Sequence, residues 1–355
     1  MTGAGLILAL VGLSFQSQDA DEMANLRKSV EALTSENDWF RAHGVLQDFA
    51  LAHPSLREDA RYKMLLQQTQ DLAHEAEGLF KKQVAEAEKD LRDGQFAKAI
   101  IGAAGALRIY PEHQALVTEV QGRARGGLAG KDLIRIPSKP CSVGSNDHSD
   151  EQPLREVKVG EFLVDKYPVT NEDYRAFVVS TGGSAPAHWS NGKIPKGKED
   201  HPVVFVSYED AAAFAKWLGK RLPTAEEWEV AARGSDRREF PWGNAFLEHE
   251  DRFQANCLEY WQVHKNLAPG TTPVQFFSGQ GFVSASGAAM GGNVWEWTST
   301  TIPGKVSGQA AEFRILKGGS FMVASRSLRC ATVLPENPEL VHPDTGFRCA
   351  KDASR

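Results

Sequence analysis

The residues of this 355-residue chain that could do chemistry gather towards its C-terminal end. Glu296 stands between two tryptophans in Gly292-Asn293-Val294-Trp295-Glu296-Trp297-Thr298, behind a Gly-Asn turn. Lys317-Gly318-Gly319-Ser320-Phe321 then opens a loop in which Ser325, Arg326, Ser327 and Arg329 offer hydrogen-bond donors. Gly346-Phe347-Arg348-Cys349-Ala350 follows. A carboxylate fixed between indoles can help hold a hard cation, or it can accept N–H groups of its own coil, and the residues leave both roles open. The Ser/Arg loop suits an anionic or hydrogen-bonding ligand better than a metal. Arg348, set among apolar neighbours, reads as a buried ion-pair partner.

Other chemistries lack their residues. The four cysteines (Cys141, Cys257, Cys330, Cys349) include no Cys-x-x-Cys pair, and no histidine stands by them to complete a zinc set. They are too few for a disulfide scaffold, although one or two bridges would fit an oxidising compartment, with three complete pairings open. His188 and His201 have no nucleophile pattern beside them, and neither a Gly-x-Ser-x-Gly elbow nor a Gly-rich phosphate loop is present. A net charge of −6 without a Lys/Arg block argues against nucleic acid as the partner. Eight tryptophans, six of them beyond Trp189, fit a rigid, loop-rich domain whose indoles fill the core, or else an aromatic-lined site.

The elements that must position these residues change character along the chain. Residues 1–18 form a signal-like apolar segment: Leu6 to Leu13 is too short to span a membrane, and Ser14 offers a cleavage point, although no Lys or Arg precedes the run. Export follows if it is a signal, and membrane association only if it is retained as an anchor. Residues 19–126 show helical spacing alone, with Asp93-Gly94 as a break and a small-residue face of Ala99, Gly102, Ala103 and Ala106 that resembles one tetratricopeptide unit. Such hairpins bind peptides or space domains. The glycines of 126–130 read as a flexible boundary. From 131 to 355 the pattern is α+β: alternating strands over 133–137 and 157–164, then three short helices announced by Thr170, Ser207 and Thr224 as caps.

Several motifs of this second part carry a family resemblance. Asp165-Lys166-Tyr167-Pro168-Val169-Thr170-Asn171, Lys220-Arg221-Leu222-Pro223-Thr224-Ala225-Glu226-Glu227-Trp228-Glu229, Phe240-Pro241-Trp242-Gly243-Asn244 and the three segments above resemble, in order, the formylglycine-generating enzyme (sulfatase-modifying factor) family. The resemblance implies a variant of the C-type lectin fold. It also implies, in the oxidases, two cysteines that bind copper(I) for oxidation of a substrate cysteine, thiolates being suited to that soft ion. Val323 and Leu328 stand in those places here, so copper chemistry is not expected. Cys330 and Cys349 resemble structural cysteines of the family. The family's calcium would be held by carbonyls matching Gly292 and Val294 and by the carboxylate of Glu296. One further ligand is lost at Ala289, and a second site would use Asn256-Cys257 and Asn266. Trp295, Trp297 and Arg348 take structural roles.

The expectation is therefore a helical domain followed by a formylglycine-generating-enzyme-like domain. Without the copper cysteines, it would bind a protein, peptide or glycan ligand through Ser325, Arg326, Ser327 and Arg329. The competing expectation is an oxidase or another modifying enzyme with a relocated site.

Overall fold

The computed structural model describes residues 25–26, 28–30, 32–33, 39–54, 60–110, 113–246, 253–264, 267–280, 283–306 and 309–353. The signal-like segment and Asn266 lie outside them. The chain divides into two compact units, Met1–Ala124 and Arg125–Arg355.

The first unit is helical, with α1 (Trp39–Ala52), α2 (Ala60–Arg92) and α3 (Phe96–Ile109). Gly94 takes φ of +72°, a value that an L side chain resists, and so breaks the chain between α2 and α3. The small face of α3 does what its composition predicts: Ala99, Ala103 and Ala106 are wholly buried, and α2 comes close enough that a Cβ on Gly102 would touch Ala87 Cβ at 3.4 Å. The segment likened to a tetratricopeptide unit is a helical hairpin in which Ala103 and Ala106 of α3, with Tyr110 just after it, pack with Val117 and Val120 of the next helix, but one hairpin does not make a repeat array. The glycine-rich stretch lies beside the division between the units and yet does not break the chain. α4 (Gln114–Gly130) continues through Gly126-Gly127-Leu128-Ala129-Gly130, because burial of Ala124 and Leu128 outweighs the roughly 1 kcal/mol that each helical glycine costs.

The second unit is α+β. Antiparallel strands β1 (Leu133–Ile136), β4 (Phe162–Asp165) and β9 (Ala350–Asp352) form one sheet in the order β1-β4-β9, and β2 (Pro140–Val143) pairs with β3 (Arg155–Lys158). A four-stranded sheet runs β7-β6-β5-β8, from β5 (Trp295–Val306), β6 (Gln309–Lys317), β7 (Leu334–Glu336) and β8 (Thr345–Gly346). Helices α5 (Asn171–Thr181), α6 (Tyr208–Trp217) and α7 (Ala225–Arg233) start where their caps predict. Thr170 accepts the Asp173 N–H, while Ser207 with Asp210 and Thr224 with Glu227 complete capping boxes. The core wraps α7, whose residues from Glu227 to Arg233 are all buried.

One ion pair ties these pieces together. Arg348 is fully buried and uses all five of its N–H donors. Two reach Glu296, at 2.6 and 2.7 Å. The others reach the carbonyls of Asp165 (2.9 Å), Lys166 (3.1 Å) and Ala289 (2.5 Å). Glu296 also accepts the indole N–H of Trp228 at 2.8 Å. β4, β5, α7, the 289 turn and the approach to β9 thus meet at one buried pair.

His201 packs against the second unit's 271 loop, its Nδ1 2.9 Å from Thr271 Oγ1 and 3.4 Å from Lys198 Nζ. Burial, reinforced by the Lys198 ammonium, pushes its pKa down to about 4.

Two predictions follow from these buried groups. Arg348→Met alone leaves Glu296 charged and unpaired, and is expected to cost about 3–5 kcal/mol in denaturant unfolding, with Glu296→Leu/Arg348→Met costing less than the sum of the single changes. For His201 the unfolded chain binds the proton more readily, at about 6.5, than the folded one. Its contribution is therefore complete above that pH and falls away as pH drops towards 4. Stability measured between about pH 6.5 and 5 should decline, and His201→Gln should flatten that slope.

Candidate functional site

The loop from Phe321 to Cys330 is set by two glycines in left-handed backbone. Gly318 (φ +98°) lies under the Trp228 ring, where a Cβ would come within 2.8 Å of Cζ2, and Gly319 (φ +72°) would bring one within 2.7 Å of Leu328. No other residue fits either place. Ser320 donates to Asp344 at 2.5 Å, Phe321 N–H donates to the Asn293 carbonyl, and Val323 accepts the Leu258 N–H at 3.0 Å.

The two positions that resemble the oxidase thiols are both apolar and serve packing. Leu328 is fully buried in a cluster with Phe240, Phe253, Ala255 and Cys257, and Val323 packs against the same cluster. Cys257 is the single thiol there. Burial pushes its pKa up to about 12, so it stays a protonated thiol rather than a metal-binding thiolate. These residues do not fit copper(I).

Of the four candidate ligand donors, the loop leaves Arg326 exposed and Ser327 half-buried. Ser325 and Arg329 are committed within the protein, contrary to expectation. Ser325 gives both its N–H and its hydroxyl to Glu259, each at 2.9 Å. Burial would raise the pKa of Glu259, but hydrogen bonds from Ser325, from its own N–H and from Cys257 together hold the carboxyl below its usual value. Arg329 forks onto Glu151 (2.9 and 3.2 Å) and also pairs with Glu239. Glu259 itself begins a short helix, α8 (Leu258–Val263). Large apolar side chains are exposed in the loop and on the neighbouring segments: Met322 is 52% exposed, Leu258 37% and Phe276 41%. Tyr260 of α8 touches Phe277, which touches Phe276.

The residues that the resemblance assigns to calcium lie beside several oxygens but little negative charge. A cavity of about 40 Å³ is lined by Gln254, Thr272, Gly292, Asn293 and Glu296 among others, and Gln254 Oε1 and Thr272 Oγ1 are buried without a partner. Hard oxygen donors are thus at hand. The Gly292 carbonyl, however, accepts the Val294 N–H, and Arg348 already neutralises Glu296. With no second carboxylate lining the cavity, any calcium held by Gly292, Val294 and Glu296 would be held weakly.

Sequence reasoning missed a second buried charge cluster. Glu229 accepts Lys317 at 3.0 Å and the Gly144 N–H at 2.7 Å, and pairs with Arg233 at 3.1 Å. The signal was present: Glu229 and Arg233 are four apart on a helix buried on every face, so their charges had to be matched inside.

All four cysteines are buried and unpaired. Cys330 and Cys349, which the resemblance casts as structural, are packed thiols outside any disulfide; burial raises both pKa values, that of Cys330 to about 12. Titration of denatured, non-reduced protein is expected to count four thiols, and a count of two would mean a bridge.

Comparison with known proteins follows the same outline. The profile of the sulfatase-modifying factor enzyme 1-like domain matches residues 118–353. The formylglycine-generating enzyme of Thermomonospora curvata is 33% identical over 297 residues, spanning 62% of this chain and 94% of that protein. The inactive C-alpha-formylglycine-generating enzyme 2 of Mus musculus is 34% identical over 280 residues, spanning 63% of this chain and 86% of that protein. The solved structure of PvdO from Pseudomonas aeruginosa superposes with a TM-score of 0.51 at 23% identity over 63% of this chain and 96% of that one, a likeness of fold alone. With its profile match running from α4 to β9, the chain belongs to the sulfatase-modifying factor enzyme family.

Proposed function

We propose that this protein is a non-catalytic member of its family that binds a protein, peptide or glycan partner at the face carrying loop 321–330. One observation carries the reading: Val323 and Leu328 are bound into an apolar cluster where the resemblance calls for two thiolates. Relatives include proteins named as formylglycine-generating enzymes and proteins named as inactive ones, so loss of chemistry within the family has precedent. The loop still offers what a binding surface needs. Arg326 supplies an exposed cation, and Met322, Leu258 and Phe276 supply apolar contact beside it. Copper has no place in this reading, calcium enters only as a weak guest, and the mild negative charge does not suit nucleic acid. Export rests on the apolar segment at 6–13 alone, because the cysteines add no disulfide to the case. No helix among the described residues is long and apolar enough to cross a membrane.

The test has two arms. A Cys-x-Pro-x-Arg peptide incubated with the protein, copper(I) and oxygen is expected to keep its thiol mass, and a formylglycine mass shift would overturn the proposal. Against partners recovered from the source cell, Arg326→Ala is expected to weaken binding about tenfold, or about 1.4 kcal/mol, without lowering the melting temperature. A partner that follows residues 1–125 instead would move the function to the helical unit.

A further inference from the structure

His201 lies outside loop 321–330, yet a short run of hydrogen bonds joins the two. It sits buried in the turn 198–201, which is fixed to the start of α5. The carbonyls of Lys198, Glu199 and His201 accept Asn171 Nδ2 (2.8 Å), the Glu172 N–H (3.0 Å) and the Asn171 N–H (2.9 Å). Three further contacts reach from this turn to residues 271–274. His201 Nδ1 stands 2.9 Å from Thr271 Oγ1, the Lys198 ammonium donates to the Thr271 carbonyl at 3.3 Å, and the Asp200 carbonyl accepts the Val274 N–H at 3.0 Å. Asn293 holds the next residue by both ends of its amide, accepting the Thr272 N–H at 2.9 Å and donating to the Thr272 carbonyl at 3.0 Å. The Asn293 carbonyl in turn accepts the N–H of Phe321, where loop 321–330 begins.

The arrangement suits one charge state of the ring. Lys198 Nζ also lies 3.4 Å from His201 Nδ1, so that nitrogen faces an ammonium and acts as an acceptor while the ring is neutral. A proton placed there would point at the ammonium. Glu199 and Asp200 of the same turn favour the charged ring, whereas residues 271–274 bring no titratable group and α5 meets the turn through Asn171 and the Glu172 backbone. Burial and the ammonium outweigh the two carboxylates and push the pKa down to about 4. Once the segment lifts and water reaches the ring, the value returns towards about 6.5. Opening therefore takes up a proton, and acid favours it. We propose that residues 271–277 form an acid-released strap, let go by the 198–201 turn when His201 is protonated, and that its release loosens Asn293 and the start of loop 321–330. Phe276 and Phe277 ride on the strap, Phe277 against Tyr260 of α8, so part of the apolar surface near the loop moves with it. The strap acts in this way whether or not the loop binds a partner.

Amide hydrogen exchange on the full chain, corrected for the intrinsic pH dependence of exchange, tests this. Protection of the Thr272 and Val274 amides is expected to fall about 30-fold from about pH 7.5 to about pH 5, the ratio given by a pKa of about 4 with the strap closed and about 6.5 with it open. At both pH values it should stay at least about tenfold below that of the α7 amides of Trp228 and Val230, because the strap opens without the core. The Phe321 amide, which rests on Asn293, should lose protection along with the strap. His201→Gln should hold strap protection level across the same range. Unchanged protection in the unaltered protein, an equal fall in His201→Gln, or strap amides as protected as those of α7 would overturn the proposal. A Phe321 amide indifferent to pH would overturn the link to the loop. An NMR titration of the His201 ring in the unaltered protein gives a second measure that needs no variant. Its midpoint is expected below about pH 5, and a midpoint at the ordinary value of about 6.5 would overturn the strap mechanism.

Discussion

The second unit depends on the pairing of Arg348 with Glu296. Much of this unit is loop, and loops cannot satisfy one another through long ladders, so buried side chains must supply the missing partners. Arg348 does so most completely. Its guanidinium meets one carboxylate and three carbonyls from segments that are 183, 182 and 59 residues distant in sequence. The desolvation of two charges is offset only because every donor is used. Trp228 adds its indole N–H to the same carboxylate and thereby fixes α7 against β5. Its ring in turn lies over Gly318, so the turn that aims the loop is shaped by the residue that reads the ion pair.

On this frame the loop packs apolar side chains at the two positions where the family resemblance calls for thiolates. Leu328 fills the space against Gly319 and Gly292 and seals the aromatic cluster of Phe240 and Phe253. Ser325 is tethered to Glu259 and Arg329 to Glu151, so carboxylates hold the loop at its middle and near its C-terminal end. What remains accessible is a short tip with one cation and an apolar surround. A rigid tip of that kind loses little entropy on binding a partner, which favours recognition over turnover.

Much of this was legible in the sequence, and the misses have physical causes. The helix starts could be read because a cap is a local bargain between a hydroxyl and an N–H three residues on, as at Thr170, Ser207 and Thr224. Arg348 could be read as a buried partner because nothing polar adjoins it. Arg329 and Ser325 could not be assigned, since their carboxylates come from residues 178 and 66 positions away. The glycines at 126–130 misled for the opposite reason: local propensity favours a break, and packing of Ala124 and Leu128 overrides it. The cluster of Glu229, Lys317 and Arg233 lay within motifs already recognised, yet only the fold shows that it encloses more positive than negative charge.

The central claim, that this member of the family has given up its metal chemistry for packing, is most directly tested by competition for copper(I). The protein should be titrated against a chromophoric chelator of roughly micromolar or tighter affinity. The account predicts that the chelator keeps its metal, because Val323 and Leu328 offer no thiolate and Cys257 is a buried, protonated thiol. Withdrawal of one equivalent of copper(I) by the native protein would contradict it.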